Sequence, residues 1–340
     1  MKHEINLEQY HIRTDLAIDT INSKTKGIVV ESDVIDDVKI TNVKVEEEGS
    51  KAINKKVGNY ITIEFKDVTD SMNREKVKSI FGKELKKMLD KINIKDDDSC
   101  LIIGLGNSKS TPDALGPFTI KDILVTNHLF EYGDVSDGYR RTYAITPGVM
   151  GETGIETSDL IMSVIKSVKP NFIIAVDALA SQSIERVNKT IQMTDTGIHP
   201  GSGVGNSRKE ISYETLGLPV IAIGIPTVVD AVTIVSDTIN YMFKHFSYTK
   251  QNIGNPINRL KTNINYLDKD VIIHSEDKKN LMGMIGDLSD DEIKQLIFEV
   301  LTPIGYNLMV TPKEIDFVIE KLSSVISNGI NIALHKNIVK

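Results

Sequence analysis

The sequence predicts an α/β protein: a mostly parallel sheet flanked by helices, with an additional smaller antiparallel layer. Three observations carry this. Residues 101–105 (Leu-Ile-Ile-Gly-Leu), 172–176 (Phe-Ile-Ile-Ala-Val) and 220–225 (Val-Ile-Ala-Ile-Gly-Ile) are short, continuous apolar runs. Helical patterns lie between or after them, near 112–126, 156–168 and 228–246. Strands without alternation that take turns with helices belong to a sheet covered on both faces.

The remaining elements follow from periodicity. Residues 27–31, 38–46 and 60–65 read as strands with one wet face, the last two alternating apolar with polar, at a sheet edge or in the small antiparallel layer. In 38–46 the alternation of Val38, Ile40, Val43 and Val45 breaks once, as at a bulge. Val77, Ile80, Phe81, Leu85, Met88 and Leu89 recur at helical spacing and predict a helix near 73–92, its lysines on the solvent face. The stretch 247–285 is polar and reads as an irregular insertion. Ser289-Asp290-Asp291-Glu292 and Thr311-Pro312-Lys313-Glu314 are capping-box patterns that open two closing helices, the second with proline at its first position.

Composition narrows the class. The chain has 340 residues, 40% apolar and 26% charged, with a net charge of −7. That suits a soluble globular protein. An acidic balance argues against nucleic acid as a direct partner. There is no apolar run of about 18 residues, so no membrane partner or span is expected, and the polar N-terminus has no signal-peptide core. The single cysteine, Cys100, sits at the mouth of an apolar run and reads as a core residue suited to a reducing, cytoplasmic compartment.

In an open α/β sheet, ligands bind at the carboxyl ends of the strands, and the residues after each apolar run are the candidates. After the first run come Gly104-Leu105-Gly106-Asn107 and then Pro112-Asp113-Ala114-Leu115-Gly116. After the second comes Asp177, and after the third Thr227 and Asp230. Position 109 is lysine where a dinucleotide fingerprint needs its third glycine. The glycines therefore read as permitting a tight turn over the sheet. Gly201–Lys209 lacks the ending of a Walker loop and reads as a loop lining the site. Asp113 and Asp177 each admit a structural role, as a first-turn acid or a helix cap. If their strands are neighbours, the two carboxylates share a site, titrate as a coupled pair, and can activate water and protonate a leaving amine. His199 has no second histidine or cysteine at metal-ligand spacing, so no metal is expected. Gly106, Asn107, His199, Thr227 and Asp230 are the candidate site-lining residues.

These stretches, with Tyr10–Ala17, Thr146–Gly151, Val176–Ala180, Thr194–Asn206 and Ile225–Ala231, resemble the germination proteases of spore-forming Firmicutes. The resemblance implies a hydrogenase-maturation-protease-like fold and an endopeptidase that degrades small acid-soluble spore proteins during germination in the spore core. It implies no cofactor, catalytic aspartates at Asp113 and Asp177, and a homotetramer. It also implies a zymogen that removes its own N-terminal segment as the spore core acidifies. Family substrates are cut after an acid and before a large apolar residue, in sequences like Thr-Glu-Phe-Ala-Ser-Glu. Thr14-Asp15-Leu16-Ala17-Ile18-Asp19 has that pattern, with aspartate for glutamate before the cut. The expected organisation is a propeptide at 1–15, cleavage between Asp15 and Leu16, and one peptidase domain at 16–340. The alternatives are a metal-dependent amidase or peptidase on the same fold, and a non-enzymatic nucleotide-binding protein.

Overall fold

The computed structural model describes residues 15–19, 25–133, 135–201, 209–255, 257, 271–301 and 308–338. The chain divides into two compact units, a larger one on Arg13–Val228 with Thr311–Lys340 and a smaller one on Val229–Val310.

The strands are β1 (Ile28–Ile35), β2 (Val38–Val45), β3 (Gly58–Glu64), β4 (Cys100–Gly104), β5 (Thr142–Ile145), β6 (Phe172–Ser181), β7 (Thr190–Thr194), β8 (Val220–Asp230) and β9 (Met309–Val310). Their order is β1-β2-β3-β7-β8-β6-β4-β5. β4 pairs in parallel with β5 and β6, whereas β1, β2, β3, β7 and β8 pair antiparallel in succession. The antiparallel strands thus extend the sheet edge to edge and are not stacked on it as a separate layer.

The unbroken apolar runs do bury both faces. Cys100, Ile102, Phe172, Ile174 and Val176 face one core, with helices Ser71–Lys91 and Ile315–Leu334. Leu101, Ile103, Ile173 and Ala175 face the other, with Ile161 of helix Thr157–Val168. The two long helices meet where Gly329 leaves room for the Phe81 ring, which a Cβ there would overlap. Such close backbone approach favours glycine despite its cost within a helix.

Several expectations change. The break in β2 is not a bulge, because its register with both neighbours is continuous. Val38 and Ile40 join the main core, and Val43 and Val45, on the opposite face, join a small cluster with Ala17, Ile53 and Tyr60. The break marks a change in which face is buried. The helix expected over 112–126 is a 3-10 turn, Thr111–Asp113, followed by helix Leu115–Lys121. It stops there because the Asn331 side chain accepts from the Leu124 N–H at 2.9 Å and donates to the Asp122 carbonyl at 2.9 Å. Those are the groups a longer helix would use.

Thr311 makes no cap. Its hydroxyl donates to the Thr227 carbonyl at 2.8 Å, and the following helix starts at Ile315 without a side-chain cap. The other box forms as expected: the Ser289 N–H donates to Glu292 at 2.7 Å, ahead of helix Asp290–Leu301. The stretch 247–285 is not irregular throughout. Helix Ala231–Gln251 runs into it and helix Ser275–Met282 lies within it; residues 256 and 258–270 are outside the described residues. In the smaller unit, Val232, Ile293 and Ile297 form a core of their own.

Candidate active site

Strands β4 and β6 are neighbours, in register from Cys100↔Phe172 to Gly104↔Val176. Asp177 is the next residue on β6, immediately beyond the last paired residue of β4. β6 continues to Ser181, so Asp177 lies inside a strand and is not a helix cap. It is 5% exposed, and its carboxylate accepts from the Ala178 N–H at 2.9 Å.

The chain leaving β4 turns back over the sheet end. The Leu105 N–H donates to the Val176 carbonyl at 2.8 Å. Gly106 then adopts φ +108° against the backbone of Asp113, and Gly104 and Gly116 approach so closely that a Cβ on either would meet the other segment's backbone. The glycines serve the tight turn, as their spacing suggests, since an L side chain is disfavoured at this φ. The Asn107 N–H donates to the Asp113 carboxylate at 2.8 Å, and the Asn107 side chain accepts from the Lys109 N–H at 2.8 Å. Thr227, 1% exposed, donates its hydroxyl to the Pro112 carbonyl at 2.6 Å. Gly106, Asn107 and Thr227 therefore hold the turn that carries Asp113, beside the strand that carries Asp177.

Two further candidates have contacts of their own. Asp230 caps helix Ala231–Gln251, accepting from the Val232 N–H at 2.7 Å, and burial raises its pKa. His199 is exposed, with Nε2 3.4 Å from Glu210. Residues 202–208, most of the loop expected to line the site, are outside the described residues. Among the described residues no group of three or more His, Cys, Asp or Glu is arranged to hold a metal ion.

Residues 1–14 are likewise outside the described residues, but Asp15 and Leu16 are within them. The segment 15–19 is tied down at several points. The Asp15 N–H donates to the Ala180 carbonyl at 3.2 Å, and the Ala180 N–H donates to the Asp15 carboxylate at 2.9 Å. The Asp15 carbonyl accepts from Gln192 Nε2 at 2.9 Å and from Lys55 Nζ at 3.2 Å. Leu16 and Ala17 are fully buried. Ala180 lies three residues beyond Asp177 on β6, roughly 10 Å along an extended strand. Periodicity and motif spacing did not mark Lys55 or Gln192, because they come from separate segments.

The model of the germination protease family matches residues 3–340. A germination protease of Priestia megaterium is 50% identical over 360 residues, covering 99% of this chain and 97% of its own length. One from Bacillus subtilis is 46% identical over 356 residues, covering 99% and 97%. Among solved structures, a [NiFe] hydrogenase maturation protease from Thermococcus kodakarensis is similar at a TM-score of 0.28 and 17% identity, over 42% of this chain and 80% of its own. The protein is a peptidase, a hydrolase whose substrates are proteins. The chain belongs to the germination protease family and is an endopeptidase of spore germination. Among the described residues no helix is long and apolar enough to cross a membrane.

Proposed function

We propose that this endopeptidase is of the aspartic type, that Asp113 and Asp177 are its catalytic pair, and that it opens the degradation of small acid-soluble spore proteins in the spore core. The observation that carries the reading is the common end of β4 and β6, where a buried Asp177 follows the last paired residue and a glycine turn brings back Asp113. Two close carboxylates share one proton, because ionising both is unfavourable. The ionised member takes a proton from water as the water attacks the peptide carbonyl. The protonated member gives its proton to the departing amine.

The chain is made as a zymogen that cuts its own Asp15–Leu16 bond, releasing residues 1–15. Acid favours the singly protonated pair, which accounts for activation on acidification. The protein works as a homotetramer. The half-exposed apolar side chains of Val29, Val30, Val34 and Ile35 on the edge strand β1 support an interface between copies.

The test is Asp177→Asn with a purified small acid-soluble spore protein and with the chain itself. Each cleavage is expected to fall by about 10³-fold, within the usual range for an acid–base group, with the melting temperature retained. Full activity in a folded variant excludes the pair.

A further inference from the structure

Residues 15–19 lie in a receptor built from three separate parts of the larger unit. The first acid, Asp15, is bound through its carboxylate by the Ala180 N–H at 2.9 Å. Gln192, itself 5% exposed, uses both ends of its amide: Nε2 donates to the Asp15 carbonyl at 2.9 Å, and Oε1 accepts from the Ala17 N–H at 2.6 Å. A side-chain amide thus grips the backbone on both sides of Leu16. Lys55 adds a second donor to the Asp15 carbonyl, at 3.2 Å. Burial lowers the Lys55 pKa, opposed by the charges of Asp15 and Asp19.

Ala17 fills an apolar pocket with Val43, Val45, Ile53 and Tyr60. The second acid, Asp19, is ion-paired with Arg186 and accepts from the Gln182 N–H at 2.9 Å. Arg186 also faces Glu64 at 3.4 Å, so a resident carboxylate helps hold the guanidinium in place.

We propose that this receptor is the substrate-recognition groove, with Arg186 as the specificity-determining residue that reads the second acid in a peptide cut between a first acid, held at the Ala180 N–H, and an apolar residue. Arg186 reads the acid four residues after the first one. The Ala180 N–H takes the carboxylate of the first acid, and Lys55 and Gln192 hold its carbonyl. Segment 15–19 is then the resident ligand of the groove, and a substrate must displace it. The step rests on the cleavage assigned above at Asp15–Leu16. A groove that holds the bond the enzyme cuts in itself is the groove a second peptide must enter. An ion pair with a buried carboxylate and backbone bonds of this kind discriminate, because a peptide without the second acid leaves Arg186 with Glu64 but without a counterpart of Asp19.

The test has two arms. In the first, amide hydrogen exchange of Ala17 is followed in the full chain carrying Asp177→Asn. Arg186→Gln and Asp19→Asn should each speed exchange at least tenfold, and the double variant should do no more than either alone. Additive effects overturn the pairing. In the second, the processed enzyme is given the peptide Arg-Thr-Asp-Leu-Ala-Ile-Asp-Thr and versions with Asn for either acid.

For the enzyme with Arg186 intact, Asn for the second acid should raise KM at least tenfold with little change in kcat. Arg186→Gln should erase that preference, and Arg186→Glu should recover cleavage of a peptide with Lys at that place. Lys55→Met should raise KM for all of these peptides alike, because Lys55 holds a main-chain carbonyl that each of them carries. A preference that survives undiminished in Arg186→Gln overturns the proposal while leaving the protease reading intact. If the enzyme cuts spore protein but neither itself nor any peptide between Asp and Leu, while the exchange effects remain, the cleavage assignment fails and substrate reading by the groove fails with it.

Discussion

Gly106 passes so close to Asp113 that a Cβ at Gly106 would overlap the carbonyl oxygen of Asp113, and it does so at φ +108°. The turn that places this carboxylate therefore depends on a side chain that is absent. Gly106→Ala would force a strained backbone, at about 1–3 kcal/mol, and push Asp113 away from the Asn107 N–H. Thermal melting should show that loss, and cleavage of a protein substrate should fall at least tenfold. A variant with unchanged cleavage would show that the position of Asp113 does not matter to the reaction.

Arg140 and His335 are both about 1% exposed. The Arg140 N–H donates to His335 Nδ1 at 3.2 Å, so the imidazole is held as an acceptor. Burial, and secondarily the Arg140 charge, lower its pKa to about 4. Above about pH 6.5 neither folded nor unfolded chain protonates this group. As pH falls from about 6.5 to about 4 the unfolded chain takes up a proton that the folded chain refuses, and stability is lost. Below about 4 the loss from this group is complete. The total is up to about 3 kcal/mol. Urea unfolding at pH 7 and pH 4 should show the fall, and His335→Gln, which keeps an acceptor, should show a smaller one. An equal fall in both would remove His335 from the pH response.

Cys100 is fully buried on β4, and burial raises its thiol pKa. Only the thiolate reacts readily. A thiol reagent should therefore label the native protein no faster than it unfolds, and promptly in denaturant. Rapid labelling of the folded chain would contradict this placement.

Ser289 and Glu292 form a reciprocal box at the start of helix Asp290–Leu301. Ser289→Ala should cost that helix about 1 kcal/mol. Hydrogen exchange of its first turn should quicken several-fold while β4 and β6 are unaffected. No change would mean that Glu292 alone holds the helix start.

The elements that could be read from sequence are those with strong and uniform patterns. Val77 to Leu89 fixed a helix to within two residues, and the runs at 101, 172 and 220 located β4, β6 and β8. Strands β5 and β7 were missed. Thr142–Ile145 is only four residues long, and Thr190–Thr194 buries its polar residues as well as Ile191 and Met193. β2 misled because its burial moves from one face to the other midway. Among the candidate residues, Asp113 and Asp177 could be singled out because each follows an apolar run. Lys55, Arg186 and Gln192 could not, because ordinary polar residues acquire a common task only when distant segments meet.

The two-ended grip of Gln192 has one further consequence. Its Oε1 takes the N–H of the residue two places after Asp15, here Ala17. Proline has no such hydrogen to give. A peptide with proline at that place would leave a buried carbonyl oxygen without a donor, however well its acids and apolar residue matched. The groove thus carries a veto written in the backbone, independent of charge and of side-chain size.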